Sequence, residues 1–229
     1  MSNNRRQNGF TMIELMLSVT FIAILLLAIA MLIIQMSGMY NKGLTLREAS
    51  QAGQFISSEI QRSLNQTYSN AVVYVNLPDD QGGRLCAGGT VYAWNYPITF
   101  TPSERADAIN KVNDSADVRF VKFAGMKETY CQTQTDNKWE PIPDTAAELL
   151  SEGNANIALH SFNLTRNEVS EDSTQTIYAV KMVVGTPSMG LVTENNSLLC
   201  KATDKEDDEW CAVNEFEFTA RSGNKEALQ

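Results

Sequence analysis

Glu14 is a carboxylate at the head of twenty residues, 15–34, that carry no charge and only two hydroxyls, Ser18 and Thr20. An ionised acid beside hydrocarbon is costly unless it is neutralised, paired or held at the interface. No Lys, Arg or His lies between Arg6 and Lys42, so the segment offers no cation three or four residues away. Cutting the backbone ahead of Phe10 would create an ammonium within about one helical turn of Glu14. Geometry restricts such a pairing inside one chain, whereas a neighbour shifted along the axis could present its terminus to this acid.

The remaining reactive side chains point to cross-linking rather than catalysis. Cys86, Cys131, Cys200 and Cys211 all follow the apolar segment, and none forms a C-x-x-C. That pattern leans towards disulfides outside the cytosol. Of the three possible pairings, Cys200 with Cys211 is favoured because LLC and WCAV read as strand ends flanking an acidic turn, which leaves Cys86 with Cys131. Four buried or free thiols are the competing reading, since a bridge needs Cα atoms about 5–6 Å apart. The acidic run 204–209 offers Asp204, Asp207 and Asp208 as oxygen ligands for calcium, but its spacing is not that of an EF-hand. A solvated turn or a partner surface is the simpler account, and no other cofactor is expected. The single histidine, His160, lies mid-strand in ALHSF and reads as a packed or surface imidazole. There is no G-x-S-x-G, no phosphate-binding loop, no G-x-G-x-x-G and no zinc-type His/Cys spacing, so enzymatic activity is not expected. A net charge of -9, with no basic cluster beyond Arg5-Arg6, argues against direct nucleic-acid binding.

These residues must be positioned by a membrane helix and a β-rich domain. At 1.5 Å per residue the apolar run covers about 30 Å, enough to cross a bilayer. Arg5 and Arg6 favour a cytoplasmic N-terminus, with Lys42 and Arg47 reducing the contrast, and would put the bulk of the chain outside. A cleaved secretory signal has a shorter apolar core and a small-x-small site, which Gln35-Met36-Ser37 fits poorly. Beyond the run, Ala49, Ala52, Phe55, Ile56, Ile60 and Leu64 recur at steps of three and four, so the helix is predicted to continue to about Asn65. Unbroken from Phe10 it would be roughly 80 Å long. Ile56, Ile60 and Leu64 should pack on the domain, Glu48, Glu59 and Arg62 should be solvated, and Gly38, Gly43 and Gly53 are points where the helix could bend.

Period-two runs rich in Val, Ile, Tyr and Phe predict strands over 71–75, 90–96, 117–124, 156–166, 176–185 and 210–220. Tyr92, Trp94 and Tyr96 share one face and should be core. The strand 177–184 is apolar on much of both faces, which predicts a central position covered on both sides. Thr101-Pro102-Ser103-Glu104 has the form of a capping box opening a helix to about Asn110, and Asp144 should cap a second helix in DTAAELL. No hairpin reads as tight enough to fix the strand order.

The segment Gly9-Phe10-Thr11-Met12-Ile13-Glu14-Leu15 resembles the G-F-T-[LM]-[IV]-E-[LMV] leader junction of type IV prepilins and the related pseudopilins. The resemblance covers residues 5 to about 35. It implies an α+β, pilin-like fold: a long N-terminal helix, membrane-spanning in its first half, packed against an antiparallel sheet. It also implies cleavage by a prepilin peptidase between Gly9 and Phe10, methylation of the new Phe10 terminus, and a role for Glu14 in docking and register within a filament. The chain then divides into a leader (1–9), the spanning and assembly half of the helix (10–35), its amphipathic half (36–66) and an extracytoplasmic β-rich domain (67–229). The bulky domain and cysteines are more like a minor pilin of a type IV pilus, with a type II secretion pseudopilin as the alternative and a non-polymerising, membrane-anchored binding protein as a third reading. The implied partners are other pilin or pseudopilin subunits, the peptidase, a membrane assembly platform and, before assembly, the lipid of a bacterial inner membrane. After assembly the subunit would belong to an extracellular or periplasmic filament.

Overall fold

The shift from helical to period-two spacing near residue 66 marks the boundary between the chain's long helix and its sheets. In the computed structural model the helix, α1, spans Met12–Asn65 without interruption. The structure describes residues 10–77, 82–97, 110–112, 116–132, 139–150, 157–168, 176–186, 191–194, 197–200 and 211–223. Two compact units emerge, Met1–Asn41 and Lys42–Gln229, with α1 contributing to both.

In the second unit, after a 3-10 turn at Ser69–Ala71, come β1 (Val72–Asn76), β2 (Gly82–Ala87), β3 (Thr90–Asn95), β4 (Lys111–Val112), β5 (Ala116–Asp117) and β6 (Phe120–Ala124). A single-turn helix α2 (Lys127–Tyr130) precedes β7 (Ala147–Glu148), β8 (Ala158–Glu168), β9 (Thr176–Gly185), β10 (Leu191–Glu194), β11 (Ser197–Cys200) and β12 (Val213–Arg221). The main sheets are antiparallel, one of five strands ordered β1-β2-β3-β6-β7 and one of three ordered β12-β9-β8. The fold is α+β.

Alternation along the five-stranded sheet separates two cores. On one face Leu85, Tyr92, Trp94 and Phe120 join Ile56, Ile60 and Leu64 of α1 and Phe162, Tyr178, Val180 and Met182 of the three-stranded sheet. On the other, Cys86, Val91, Ala93, Val121 and Phe123 pack with Val118, Cys131 and Ile142. Each large apolar side chain fully buried here contributes roughly 1.5–3 kcal/mol, which makes the Ile56, Ile60, Leu64 stripe the main attachment of the helix. Polar contacts fix its register. Lys122 donates to the Glu59 carboxylate at 2.6 Å, Gln61 donates to the Thr219 carbonyl at 2.8 Å, and Asn65 accepts the Arg221 N–H at 2.9 Å. Gln61 and Asn65 thereby cap backbone groups on the outer edge of β12, which no further strand covers among the described residues.

Several elements differ from the sequence expectation, each for a local reason. GGRLCA, whose glycines mask its pattern, forms β2, and Ala87 pairs with Thr90 across a two-residue hairpin turn. Gly88 adopts φ 62° there, a conformation open to glycine, so the AGGT segment does fix the order of β2 and β3. DTAAELL forms no helix. Glu148 instead turns its carboxylate onto the Phe120 and Leu150 N–H groups, both at 3.1 Å, and its backbone joins the sheet as β7. β9 is central, as its composition predicts, but Tyr178, Val180, Met182 and Val184 are buried while Lys181 on the opposite face is exposed and paired with Glu215. Phe55 stays half-exposed rather than joining the helix stripe, and Glu59 is held by Lys122 rather than solvated. Gly53 is a packing site and not a bend, because a Cβ there would overlap the Phe216 ring. The helix proposed over 101–109 lies outside the described residues.

Candidate functional site

At the start of α1, Thr11 and Glu14 close the helix reciprocally. The Thr11 N–H donates to Glu14 Oε2 at 3.3 Å, the Thr11 hydroxyl donates to the same oxygen at 3.1 Å, and the Glu14 N–H donates back to Thr11 Oγ1 at 3.4 Å. This is a capping box, with Thr11 as N-cap and Glu14 three residues on. The carboxylate also sits at the positive end of the helix dipole. All its contacts use Oε2, which leaves Oε1 without a partner among the described residues. The acid is thus partly compensated by its own chain.

Behind it the helix offers only hydrocarbon. Leu17, Phe21, Ile24, Leu27 and Ile34 of α1 are all exposed, as are Ile13 and Phe10 ahead of the acid. The two hydroxyls are satisfied internally, Ser18 donating to the Leu15 carbonyl and Thr20 to that of Leu17, each at 2.9 Å. A helix whose backbone pairs along its length and whose hydroxyls bond back to its own carbonyls meets the requirement for a lipid-facing segment. Among the described residues one helix, near the N-terminus, is long and apolar enough to cross a membrane.

The domain is closed by two disulfides, Cys86–Cys131 and Cys200–Cys211, with Cα separations of 6.2 and 5.8 Å. Beside the first lies a side chain that sequence reasoning passed over. Arg84 is buried on β2 and donates through Nε to Asn110 Oδ1 at 2.6 Å, through Nη1 to the Tyr130 carbonyl at 3.1 Å and through Nη2 to the Glu140 carbonyl at 2.8 Å. Trp139 stacks against it, with its ring centroid 5.1 Å from the guanidinium carbon. Burial lowers the Arg84 pKa to about 10, partly offset by the charge environment at Tyr130 and Glu140. Asn110 relays the network, donating to the Trp94 carbonyl at 2.8 Å and exchanging hydrogen bonds with Asn95. One cation therefore fastens the 110, 130 and 140 segments to the sheet. The signal available in the sequence was a lone arginine between Gly83 and Leu85 in an otherwise apolar strand.

Gly9 and the calcium candidates Asp204, Asp207 and Asp208 lie outside the described residues. Among the described residues no three His, Cys, Asp or Glu side chains are grouped to hold a metal ion. His160 is buried on β8, where its Nε2 meets the Thr186 carbonyl at 2.8 Å. Comparison with family models, characterised proteins and solved structures finds no match.

Proposed function

We propose that the chain is a minor-pilin-like structural subunit of a type IV pilus or a related filament. It enters the membrane as a precursor, is cut after Gly9, is methylated at Phe10, and assembles by moving its apolar helix from lipid into a bundle of sister helices. The observation that carries this reading is the capped acid at the head of a helix whose apolar first half is exposed, in a chain with a disulfide-bonded α+β domain. Two disulfides suit an oxidising compartment, so the domain belongs outside the cytoplasm and the leader inside.

The capping geometry refines the part played by Glu14. Cleavage after Gly9 leaves the Phe10–Thr11 peptide intact, so the Thr11 N–H still holds Oε2. Oε1 then remains for the methylated ammonium of an adjoining subunit, an ion pair formed in low dielectric where charge-assisted hydrogen bonds are strong. A pseudopilin in a type II secretion system would use the same residues in the same way.

Glu14→Gln separates assembly from anchoring. The amide can still accept from Thr11, so the variant should be inserted at wild-type levels, while its recovery in sheared filaments should fall at least about tenfold, the loss of one buried ion pair. Equal incorporation of the two forms would remove Glu14 from the assembly mechanism. A variant and wild type that are both membrane-bound and both absent from any filament would favour a tethered, non-polymerising protein.

A further inference from the structure

At the end of the three-stranded sheet lies a titratable group for which filament assembly has no use. His160 sits where the β8–β9 register slips, between the pairs Leu159↔Val184 and Ser161↔Val183, so it is the extra residue of a bulge. Its ring is buried. Nε2 meets the Thr186 carbonyl at 2.8 Å, which fixes the proton there in the neutral form, and Nδ1 is buried without a hydrogen-bond partner.

Thr186 is itself a clip. Its N–H donates to the Ala212 carbonyl at 2.9 Å, and its Oγ1 accepts from the Ala212 N–H at 3.3 Å. Ala212 follows Cys211, which is bridged to Cys200. The chain of contacts His160–Thr186–Ala212 therefore anchors one end of the covalent ring closed by that disulfide.

We infer that His160 is a pH-responsive latch on this disulfide-closed end of the sheet: neutral, it holds Thr186 against the start of β12, and protonated, it lets that end open. A second ring proton would be placed on Nδ1, which is buried and makes no hydrogen bond, and the nearby Gly185 backbone favours it less than burial opposes it. The ring is relieved by turning out to water, which breaks the bond to Thr186. Burial disfavours the imidazolium and outweighs the backbone of Thr186 and Gly185, which favour it, so the His160 pKa lies below its usual 6.5. No charged side chain among the described residues acts on the ring. The charged groups of the adjacent strands are exposed, with Lys181 bonded to Glu215 at 2.8 Å and Glu217 beside them.

The sign follows from linkage. The open form takes up a proton near the ordinary histidine pKa and the closed form does not, so closure is strongest above about pH 6.5 and weakens as pH falls below it, until the closed form itself protonates. The change should approach a tenfold loss of closure per pH unit, one proton per opening.

The test is amide exchange and imidazole nitrogen shifts on the full chain in detergent micelles, from about pH 7.5 to about pH 5. Protection factors at Thr186 and Ala212 should fall by up to about tenfold per unit along the same curve as the His160 nitrogens, while Val180 in mid-sheet keeps its protection. In His160→Gln, whose amide can still donate to the Thr186 carbonyl, both amides should show no such pH dependence. The proposal is overturned if the ring titrates with no change at Thr186 and Ala212, if it stays neutral while their protection falls, or if the glutamine variant responds as the wild type does. Should that variant not fold, coincidence or separation of the two wild-type curves decides.

Discussion

Arg84 shows how far a single residue can organise a domain that has little regular structure between its strands. Its three hydrogen bonds reach acceptors at 110, 130 and 140, and no carboxylate pairs with it among them. Replacing it would leave the buried Asn110 Oδ1 and two partly buried carbonyls without their donor, so Arg84→Met should destabilise the domain by about 2–4 kcal/mol. Arg84→Lys should recover little, because an ammonium cannot reproduce the planar fork. Urea unfolding of the oxidised protein measures both, and a loss within about 0.5 kcal/mol for the methionine variant would show that the network is dispensable. At this scale the sequence was informative where a residue contradicted its surroundings. Glu14 stood out as an acid against hydrocarbon, and the Thr11–Glu14 cap carries the same T-x-x-E signature as Thr101–Glu104. Arg84 was less visible because its partners are mostly backbone carbonyls, which no sequence spacing reports.

Elements were legible in proportion to their length and period. The long runs rich in Val, Ile, Tyr and Phe became β3, β8, β9 and β12, and the four-residue spacing of Ile56, Ile60 and Leu64 marked the buried face of α1. β2 escaped because its two leading glycines supply no pattern, and DTAAELL misled because local helix propensity lost to a strand pairing and to Glu148 capping two backbone N–H groups. Gly53 was misread for a related reason, since its role is set by a ring from β12 more than 160 residues away, as the Gly53 and Phe216 contact shows. Gly53→Ala gains helix propensity of up to about 1 kcal/mol, but it must displace that ring, so the net effect should be a loss of about 1–3 kcal/mol. Combining it with Phe216→Leu should return part of the loss, and a double-mutant cycle reads the coupling directly. Additive effects of the two changes would mean that the helix and β12 do not constrain each other at this point.

The whole molecule joins two kinds of surface that no single solvent satisfies. Residues of the Met1–Asn41 unit present apolar side chains outward, whereas the Lys42–Gln229 unit buries its own core and is closed by two disulfides. In the chain-entropy account, bridges separated by 45 and 11 residues contribute about 4 and about 3 kcal/mol. The apolar half of the helix is long enough to cross a bilayer, and in the proposed function the disulfide-bonded domain stands outside the cytoplasm on that anchor. The α+β class and the long apolar helix could be read from the sequence, but the sheet order could not, because it depends on hairpins and long-range pairs that local pattern leaves open. The central claim is that this anchor is processed at its head and handed to sister helices, and the intact mass of the protein isolated from its own cell envelope tests it most directly. The account predicts loss of residues 1–9 and a gain of about 14 Da on Phe10, one methyl group; a chain that keeps its first nine residues, or is cut elsewhere, would contradict it.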